Sequence, residues 1–325
     1  MDEETMSTPH TAKNAWKRLF ALAASASALL GALAPAAQAA PSANGPRITN
    51  QEHVADNWWK ITVYSPSMDK EIVNDVSRAP GASAPTFYLL QGTEGGQDGR
   101  SWFDLTAAPE FFKGKRVNVI APIGDPGSMY TDWDQDDPVL GRVRWQTYLT
   151  RELPAALGKQ FGESAKHAVG GVSISGAPAL DLMAQDPKFF AAAASYSGCP
   201  ITSGAREWET ASLVRYAGGG DPANMWSGDE WAEHDPSLNL PKLKGKPIYL
   251  GASSGAPGED QGAVGSGFIE GLAQQCTDEF AQQAREAGLN PTYDRREQGG
   301  HDWDFFESEM EASWSQVIAP ALGTK

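Results

Sequence analysis

The stretch Gly171-Val172-Ser173-Ile174-Ser175-Gly176 decides how this chain folds. A small apolar run precedes it, and the helix-forming segment 177–183 follows it. A strand, a tight turn with a serine flanked by glycines, and a helix together make a nucleophile elbow, in which the serine hydroxyl stands above the sheet edge. A serine between glycines is also common in ordinary turns. The strand and helix on either side favour Ser173 as a nucleophile.

Two backbone amides are candidates for stabilising a developing oxyanion. The N–H of Ile174 lies at the N-terminus of the predicted helix, where amide groups lack partners within the helix. A second donor is expected from the loop after an earlier strand. The apolar run 86–90 leads into such a loop, which makes the N–H of Thr93 the candidate. The glycine-rich segment 94–99 is not followed by Lys-Ser or Lys-Thr, so it does not indicate a phosphate loop.

A nucleophilic serine needs a base, and His301 is the best candidate. It follows two glycines and lies between the last predicted strand and the last predicted helix. Proteins that have a nucleophile elbow carry their base at this place, after the nucleophile in chain order. His167 precedes the elbow strand and is interpreted as a packing or surface residue, whereas His53 and His234 lack a comparable loop.

The base in turn needs a carboxylate to hold its tautomer and offset the imidazolium charge. The first three acids after the predicted strand 247–252 are the candidates, and two of them, Glu259 and Asp260, lie in the loop directly after that strand. Glu270 lies among apolar residues near the start of a long predicted helix, where an unpaired charge is costly. The residues alone leave this choice open.

Apolar runs that end in turn residues alternate with helical patterns throughout residues 40–325. The predicted strands occupy 61–68, 86–90, 116–122, 189–198, 247–252 and 291–296, and the predicted helices occupy 103–112, 145–157, 177–183, 267–287 and 303–319. Alternation of this kind is typical of a mostly parallel central sheet with helices on both faces, here an α/β-hydrolase fold. The segment 202–240 is predicted to be an irregular insertion near the site.

The first 39 residues are predicted to be a secretory signal peptide. Basic residues precede the apolar run 19–33, and Ala37-Gln38-Ala39 supplies a small-residue cleavage site. A membrane anchor is the alternative, but the run is short, rich in alanine and interrupted by Pro35. Residues 40–325 are then expected to form a single catalytic domain in the cell envelope or outside the cell, with no transmembrane segment.

Charge and cysteine content restrict the partners. The formal net charge of −15 disfavours nucleic acid and anionic lipid head groups. The only two cysteines, Cys199 and Cys276, favour one disulfide in an exported protein, with two buried thiols as the alternative. No two histidines share the spacing of metal ligands, so we expect neither a metal nor another cofactor.

The chain resembles the mycolyltransferase family of mycobacteria and corynebacteria, the antigen 85 type. The segments that carry the resemblance are YSPSM (64–68), YLLQG (88–92), SMYTDW (128–133), WQTYLTRELP (145–154), GVSISG (171–176), FIEG (268–271) and GHDW (300–303). The resemblance extends over nearly the whole of residues 40–325. The glycine at 176 in place of 175 matches the variant elbow of this family.

The resemblance implies acyl transfer of long branched mycolic acids, with trehalose mycolates as donor and acceptor, in the outer cell envelope. It implies that Ser173 is the nucleophile and His301 the base. It also favours Glu270 over Glu259 as the acid.

The same resemblance implies that Thr93 and Ile174 supply the oxyanion amides and that Trp303 lies beside the sugar site. Two positions depart from the family. Gln91 stands where the family commonly has an aspartate, and Glu94 stands where it commonly has an arginine. Both family positions help to bind the hydroxyls of trehalose. The acceptor could therefore be trehalose, arabinan or an envelope protein, with Gln91 as a candidate contact.

Two rival functions stay open at this point. A carboxylesterase would use the same three residues but pass the acyl group to water. A non-catalytic adhesin or carbohydrate-binding protein would keep the fold without the chemistry.

Overall fold

The apolar runs of the chain pair into one sheet, seen here in a computed structural model. The structure describes residues 44–81, 83–161, 163–257 and 264–324. The strands within those residues are β1 (Arg47–Ala55), β2 (Trp58–Ser65), β3 (Lys70–Ser77), β4 (Ala84–Leu90), β5 (Asn118–Ile123), β6 (Glu163–Val172), β7 (Phe190–Tyr196), β8 (Ile248–Ser253) and β9 (Thr292–Arg296). Their order across the sheet is β1-β2-β3-β5-β4-β6-β7-β8-β9.

The larger part of the sheet is parallel. Strands β5, β4, β6, β7, β8 and β9 run in one direction, and β1 to β3 are joined to β5 through antiparallel pairs. The elbow strand β6 is near the middle of this array. Its side chains alternate between two cores, since Val169 packs on one face while Ala168 and Val172 pack on the other.

Helices cover both faces of the sheet, and the turn at Ser173 joins the central strand β6 to α5, as in an α/β hydrolase. They are α1 (Trp102–Leu105), α2 (Ala108–Phe112), α3 (Trp145–Thr147), α4 (Leu153–Phe161), α5 (Gly176–Gln185), α6 (Glu207–Gly218), α7 (Glu230–Glu233), α8 (Leu240–Leu243), α9 (Val264–Glu286), α10 (Trp303–Ser313) and α11 (Ala319–Leu322). π-helical turns join α3 to α4 and α10 to α11. Buried side chains of α4, α5 and α9 belong to one core, and those of α2, α10 and α11 belong to the other.

The prediction that strands alternate with helices throughout is wrong for the first third of the chain. β1 to β3 follow one another as an antiparallel meander. β1 has no apolar alternation because it is almost wholly exposed. β3 carries buried polar residues, which find specific partners: Asn74 donates to the Tyr148 hydroxyl over 2.8 Å, and Asp75 accepts from the Trp58 indole over 2.8 Å.

The prediction of an irregular segment over 202–240 is also only partly right. The segment contains α6, α7 and two 3₁₀ turns. Helix α6 ends where Gly219 takes a φ of 73°, the left-handed conformation that glycine adopts without strain. The apolar periodicity of α6 is weak because Val214 is buried while Trp208 and Tyr216 are exposed.

Other sequence predictions fall outside the described part of the chain. These are the signal peptide over residues 1–39 and the two candidate acids Glu259 and Asp260. Every helix of the described residues is too short or too polar to cross a bilayer.

A disulfide joins Cys199, which follows β7, to Cys276 in the middle of α9. The two residues are 77 positions apart in the chain. Closing a loop of that size lowers the conformational entropy of the unfolded chain, which stabilises the fold.

We therefore expect the double variant Cys199→Ala/Cys276→Ala to have a free energy of unfolding about 2–4 kcal/mol lower than that of the wild type. Urea titration with and without dithiothreitol measures this difference. The wild type should lose stability on reduction, and the double variant should be indifferent to the reductant. Equal unfolding midpoints for the two oxidised proteins would contradict the expectation.

Candidate active site

The serine of the elbow has a strained backbone. Ser173 follows β6 directly and has a φ of 55°, in the left-handed region that residues with a side chain rarely adopt. The turn is so tight that a Cβ placed on Gly171 would lie 2.0 Å from the carbonyl oxygen of Ser175. Such strain persists only where the surroundings enforce it, and it is typical of nucleophile elbows.

The position of the second glycine has a local explanation. The Ser175 hydroxyl accepts from the Val172 amide over 2.8 Å and lies 2.9 Å from the Val172 carbonyl oxygen, so a side chain at 175 closes the turn. Close packing is needed one residue later, because a Cβ on Gly176 would lie 2.8 Å from the Cα of Gly198. Glycine is therefore required at 176 and not at 175.

Gly171→Ala should destabilise the protein by more than about 3 kcal/mol or prevent folding, because the added methyl group meets backbone atoms that cannot move aside. Thermal unfolding and soluble yield measure this effect. Gly92→Ala is the matched control, since its Cβ would meet only Val172 Cγ1, at an ordinary 3.6 Å. Similar melting temperatures for the two variants would contradict the packing argument.

Three side chains far apart in the chain meet at the carboxyl end of the sheet. His301 Nε2 lies 2.8 Å from Ser173 Oγ, and His301 Nδ1 lies 2.8 Å from Glu270 Oε2. The Glu270 carboxylate has no exposure to solvent. Hydroxyl, imidazole and carboxylate thus form one continuous hydrogen-bonded row, the arrangement that lets an imidazole accept a proton from a serine.

Glu270 was expected to lie within an apolar face of its helix, but the structure places it on the opposite side from its apolar neighbours. Its apolar neighbours Phe268, Ile269 and Leu272 point outward and are 70%, 50% and 48% exposed. The carboxylate alone turns inward, where the Ser253 amide at the end of β8 donates to Oε1 over 2.8 Å. Hydrogen bonds of this kind offset the cost of burying the charge.

The turn that carries His301 is fixed to the end of β8. Gly299 has a φ of 149°, and its carbonyl accepts from the Ser253 hydroxyl over 2.8 Å. A Cβ on Gly299 would lie 2.3 Å from the Phe305 ring, so only glycine fits there. The His301 ring rests against the edge of Phe306 at a centroid distance of 4.9 Å.

Both candidate oxyanion residues follow the carboxyl ends of two neighbouring strands, β4 and β6. β4 pairs with β6 in parallel with Leu90 opposite Gly171, so the loop after β4 runs beside the elbow. Thr93 lies in that loop and is half-buried. Ile174 is in the first turn after Ser173, where the leading amides have no partner within the helix.

The two predicted substrate-binding residues both contact Trp102, one at its backbone amide and the other at its ring. Gln91 is fully buried, and its Oε1 accepts from the Trp102 amide over 3.2 Å. Its Nε2 has no hydrogen-bond partner among the described residues. The half-buried Trp303 meets the Trp102 ring edge to face at 5.3 Å.

Sequence analysis missed two residues of the site. The Ser197 hydroxyl lies 2.9 Å from Glu270 Oε1 and 3.0 Å from Glu309 Oε2, and both carboxylates are buried. Nothing local in the sequence marks these contacts, since Ser197 and Glu309 are 112 positions apart.

Comparison with known proteins identifies the family of the chain. The Esterase family model matches residues 63–316. Diacylglycerol acyltransferase/mycolyltransferase Ag85A of Mycobacterium tuberculosis is 30% identical over 267 residues, which are 78% of this chain and 78% of that protein. The chain belongs to the antigen 85-type mycolyltransferase family. Ag85B of Mycobacterium intracellulare is 29% identical over 92% of both chains.

Solved structures give the same result for the fold. MPT51 of Mycobacterium tuberculosis superposes with a TM-score of 0.71 at 27% identity, covering 82% of this chain and all of that one. An S-formylglutathione hydrolase from Agrobacterium tumefaciens superposes with a TM-score of 0.59 at 16% identity and shares the fold. As a member of the antigen 85-type family, the chain is an acyltransferase or esterase.

Proposed function

We propose that this protein is an exported mycolyltransferase that moves a mycolyl chain from a trehalose mycolate to a second hydroxyl through a covalent intermediate on Ser173. The observation that carries the proposal is the hydrogen-bonded row of Ser173, His301 and Glu270 at the carboxyl end of the sheet. It supplies an activated nucleophile to a fold whose family transfers acyl groups.

The residues have the following roles in the proposed reaction. His301 Nε2 takes the proton of the Ser173 hydroxyl as Oγ attacks the ester carbonyl, and the amides of Thr93 and Ile174 hold the oxyanion. Collapse of the tetrahedral intermediate expels the sugar hydroxyl, which receives the proton from His301. An acceptor hydroxyl then repeats the sequence in reverse. Glu270 stays ionised and stabilises the imidazolium in both steps.

The outward face of α9 supports a lipid substrate. Phe268 and Leu272 lie one helical turn apart and expose large apolar surfaces, with Ile269 between them. They lie on the helix that carries the buried acid Glu270. Exposed apolar side chains grouped in this way mark sites that bind lipid or protein.

The residues around the oxyanion loop support a hydroxyl-bearing acceptor. The exposed guanidinium of Arg100, 3.0 Å from Glu94 Oε1, can donate to a hydroxyl of a trehalose, an arabinan or an envelope protein. Gln91 is fully buried, which does not support the predicted contact of Gln91 with the acceptor. The disulfide supports export, because disulfides persist in oxidising compartments.

Ser173→Ala, His301→Gln and Glu270→Gln should each lower transfer by about 10³-fold or more, because each removes one member of the proton-transfer row. In the assay, purified protein is incubated with trehalose monomycolate and a peptide acceptor. The products to be separated are trehalose, trehalose dimycolate, free mycolic acid and the acylated peptide. A fluorophosphonate probe should label the wild type and fail to label the Ser173→Ala variant. Absence of labelling in the wild type would favour a non-catalytic binding protein.

The products distinguish transfer from hydrolysis. Free mycolic acid released at saturating acceptor, with no dimycolate or acyl-peptide formed, would favour a carboxylesterase. Formation of dimycolate or acyl-peptide identifies the acceptor.

Phe268→Ser and Leu272→Ser should lower kcat/KM for a long-chain ester by about 10-fold while leaving that for an acetyl ester within about 2-fold, since only a long chain reaches this surface. p-Nitrophenyl esters of increasing length provide the measurement. Tyr216→Ser, at an 82% exposed position on α6, is the matched control and should alter neither. Equal losses for short and long esters would contradict a role in acyl binding.

A further inference from the structure

A single hydroxyl group links two buried carboxyl groups behind the proposed base. Ser197 Oγ is 2.9 Å from Glu270 Oε1 and 3.0 Å from Glu309 Oε2. Both glutamates have no solvent exposure. A serine hydroxyl carries one proton and can donate to only one of these oxygens. The other contact requires a second proton, because two bare oxygen lone pairs would otherwise face each other in a buried site.

The other hydrogen bonds decide which carboxyl holds that proton. Glu270 accepts from the Ser253 amide over 2.8 Å and contacts His301 Nδ1 over 2.8 Å, so its ionised form is well supplied with donors. Glu309 Oε1 has no hydrogen-bond partner among the described residues. It packs instead against β8, where a Cβ on Gly251 would lie 2.3 Å away.

We propose that Glu309 is a protonated carboxylic acid that donates to Ser197, which in turn donates to Glu270, so that the row of Ser173, His301 and Glu270 extends by two further groups. The inference rests on the proposed acyl transfer for its catalytic meaning. Glu309 touches no substrate in this arrangement and is a positioning residue. It fixes the direction of the Ser197 hydroxyl, which orients Glu270 toward the imidazole.

The surroundings of Glu309 agree with a neutral side chain. Burial and the negative charge of Glu270 raise the pKa of Glu309 well above its usual range. Arg296 lowers that pKa in part, but its guanidinium is committed to Asp294 over 2.6 Å. Several other polar groups face Glu309 from the neighbouring helix and strands. They are Glu270 of α9, Tyr196 of β7 with the following Ser197, Tyr249 of β8, and Asp294 and Arg296 of β9.

The backbone of Ser197 gives independent support. Ser197 has a φ of 48°, a strained conformation for a residue with a side chain. The two polar contacts of its hydroxyl are the ones to Glu270 and Glu309. The fold therefore keeps a costly backbone conformation at the position where a hydroxyl joins the two acids.

Glu309→Gln tests the protonation state, because an amide can donate to Ser197 as the acid does but never carries a charge. We expect kcat/KM for a p-nitrophenyl ester within about 3-fold of wild type and an unchanged acidic limb of the pH–rate profile. The infrared difference spectrum, wild type minus variant, should show the C=O stretch of a carboxylic acid at neutral pH. Missing carboxylic absorption, or an acidic limb shifted down by about one pH unit through loss of a negative charge, would overturn the proposal.

Ser197→Gly and Glu309→Ala test the positioning role. Ser197→Gly removes the hydroxyl while relieving the backbone strain, so it should fold and lose about 10-fold in kcat with little change in KM. Glu309→Ala should show a similar loss that Glu309→Gln does not. Wild-type kcat in both would overturn the role. A wild type inactive on esters would refute the proposed function instead, while the infrared band would still decide the protonation of Glu309.

Discussion

The buried negative charge of Glu270 is the constraint on which the site depends. A carboxylate without access to water must be surrounded by donors, or the fold loses several kcal/mol. These donors come from the ends of β7 and β8 and from the turn before α10, through Ser197, Ser253 and His301. Satisfying one charge therefore brings together segments that are widely separated in the chain.

The sheet makes this convergence available. Parallel strands end at the same edge, so the residues that follow β6, β7, β8 and β9 lie side by side. The left-handed backbone at Ser173 and Ser197 turns two hydroxyl groups out of the line of their strands and toward the imidazole and the carboxylates. Backbone strain is accepted at these two points because the surrounding strands and helices enforce it.

The sequence was most informative where the decisive pattern is local. The elbow at 171–176 and the Gly-Gly-His turn at 299–301 each place their functional residue within a few positions, and both were predicted. Glu270 was harder to assign because its apolar neighbours suggested a buried face, whereas they point outward and only the acid is buried. Ser197 and Glu309 were missed because their meeting is a product of tertiary structure.

The antiparallel strands show the same limit in the framework. β1 lies at the sheet edge with polar, exposed residues, and β3 pairs its buried polar groups with partners that are distant in the chain. Apolar periodicity cannot predict strands made of such polar residues. Two of the predicted strands, β4 and β8, are buried along their whole length and therefore have nearly continuous apolar sequences.

Helix α9 carries the buried acid, one cysteine of the disulfide and the exposed apolar surface. Glu270 and Cys276 are six residues apart, about 9 Å along the axis, and the exposed Phe268 and Leu272 flank the acid. A small rotation of this helix would disturb the Glu270–His301 hydrogen bond, the disulfide and the exposed apolar surface at the same time. A substitution that shifts α9 therefore acts on the acid, the disulfide and the exposed apolar surface together.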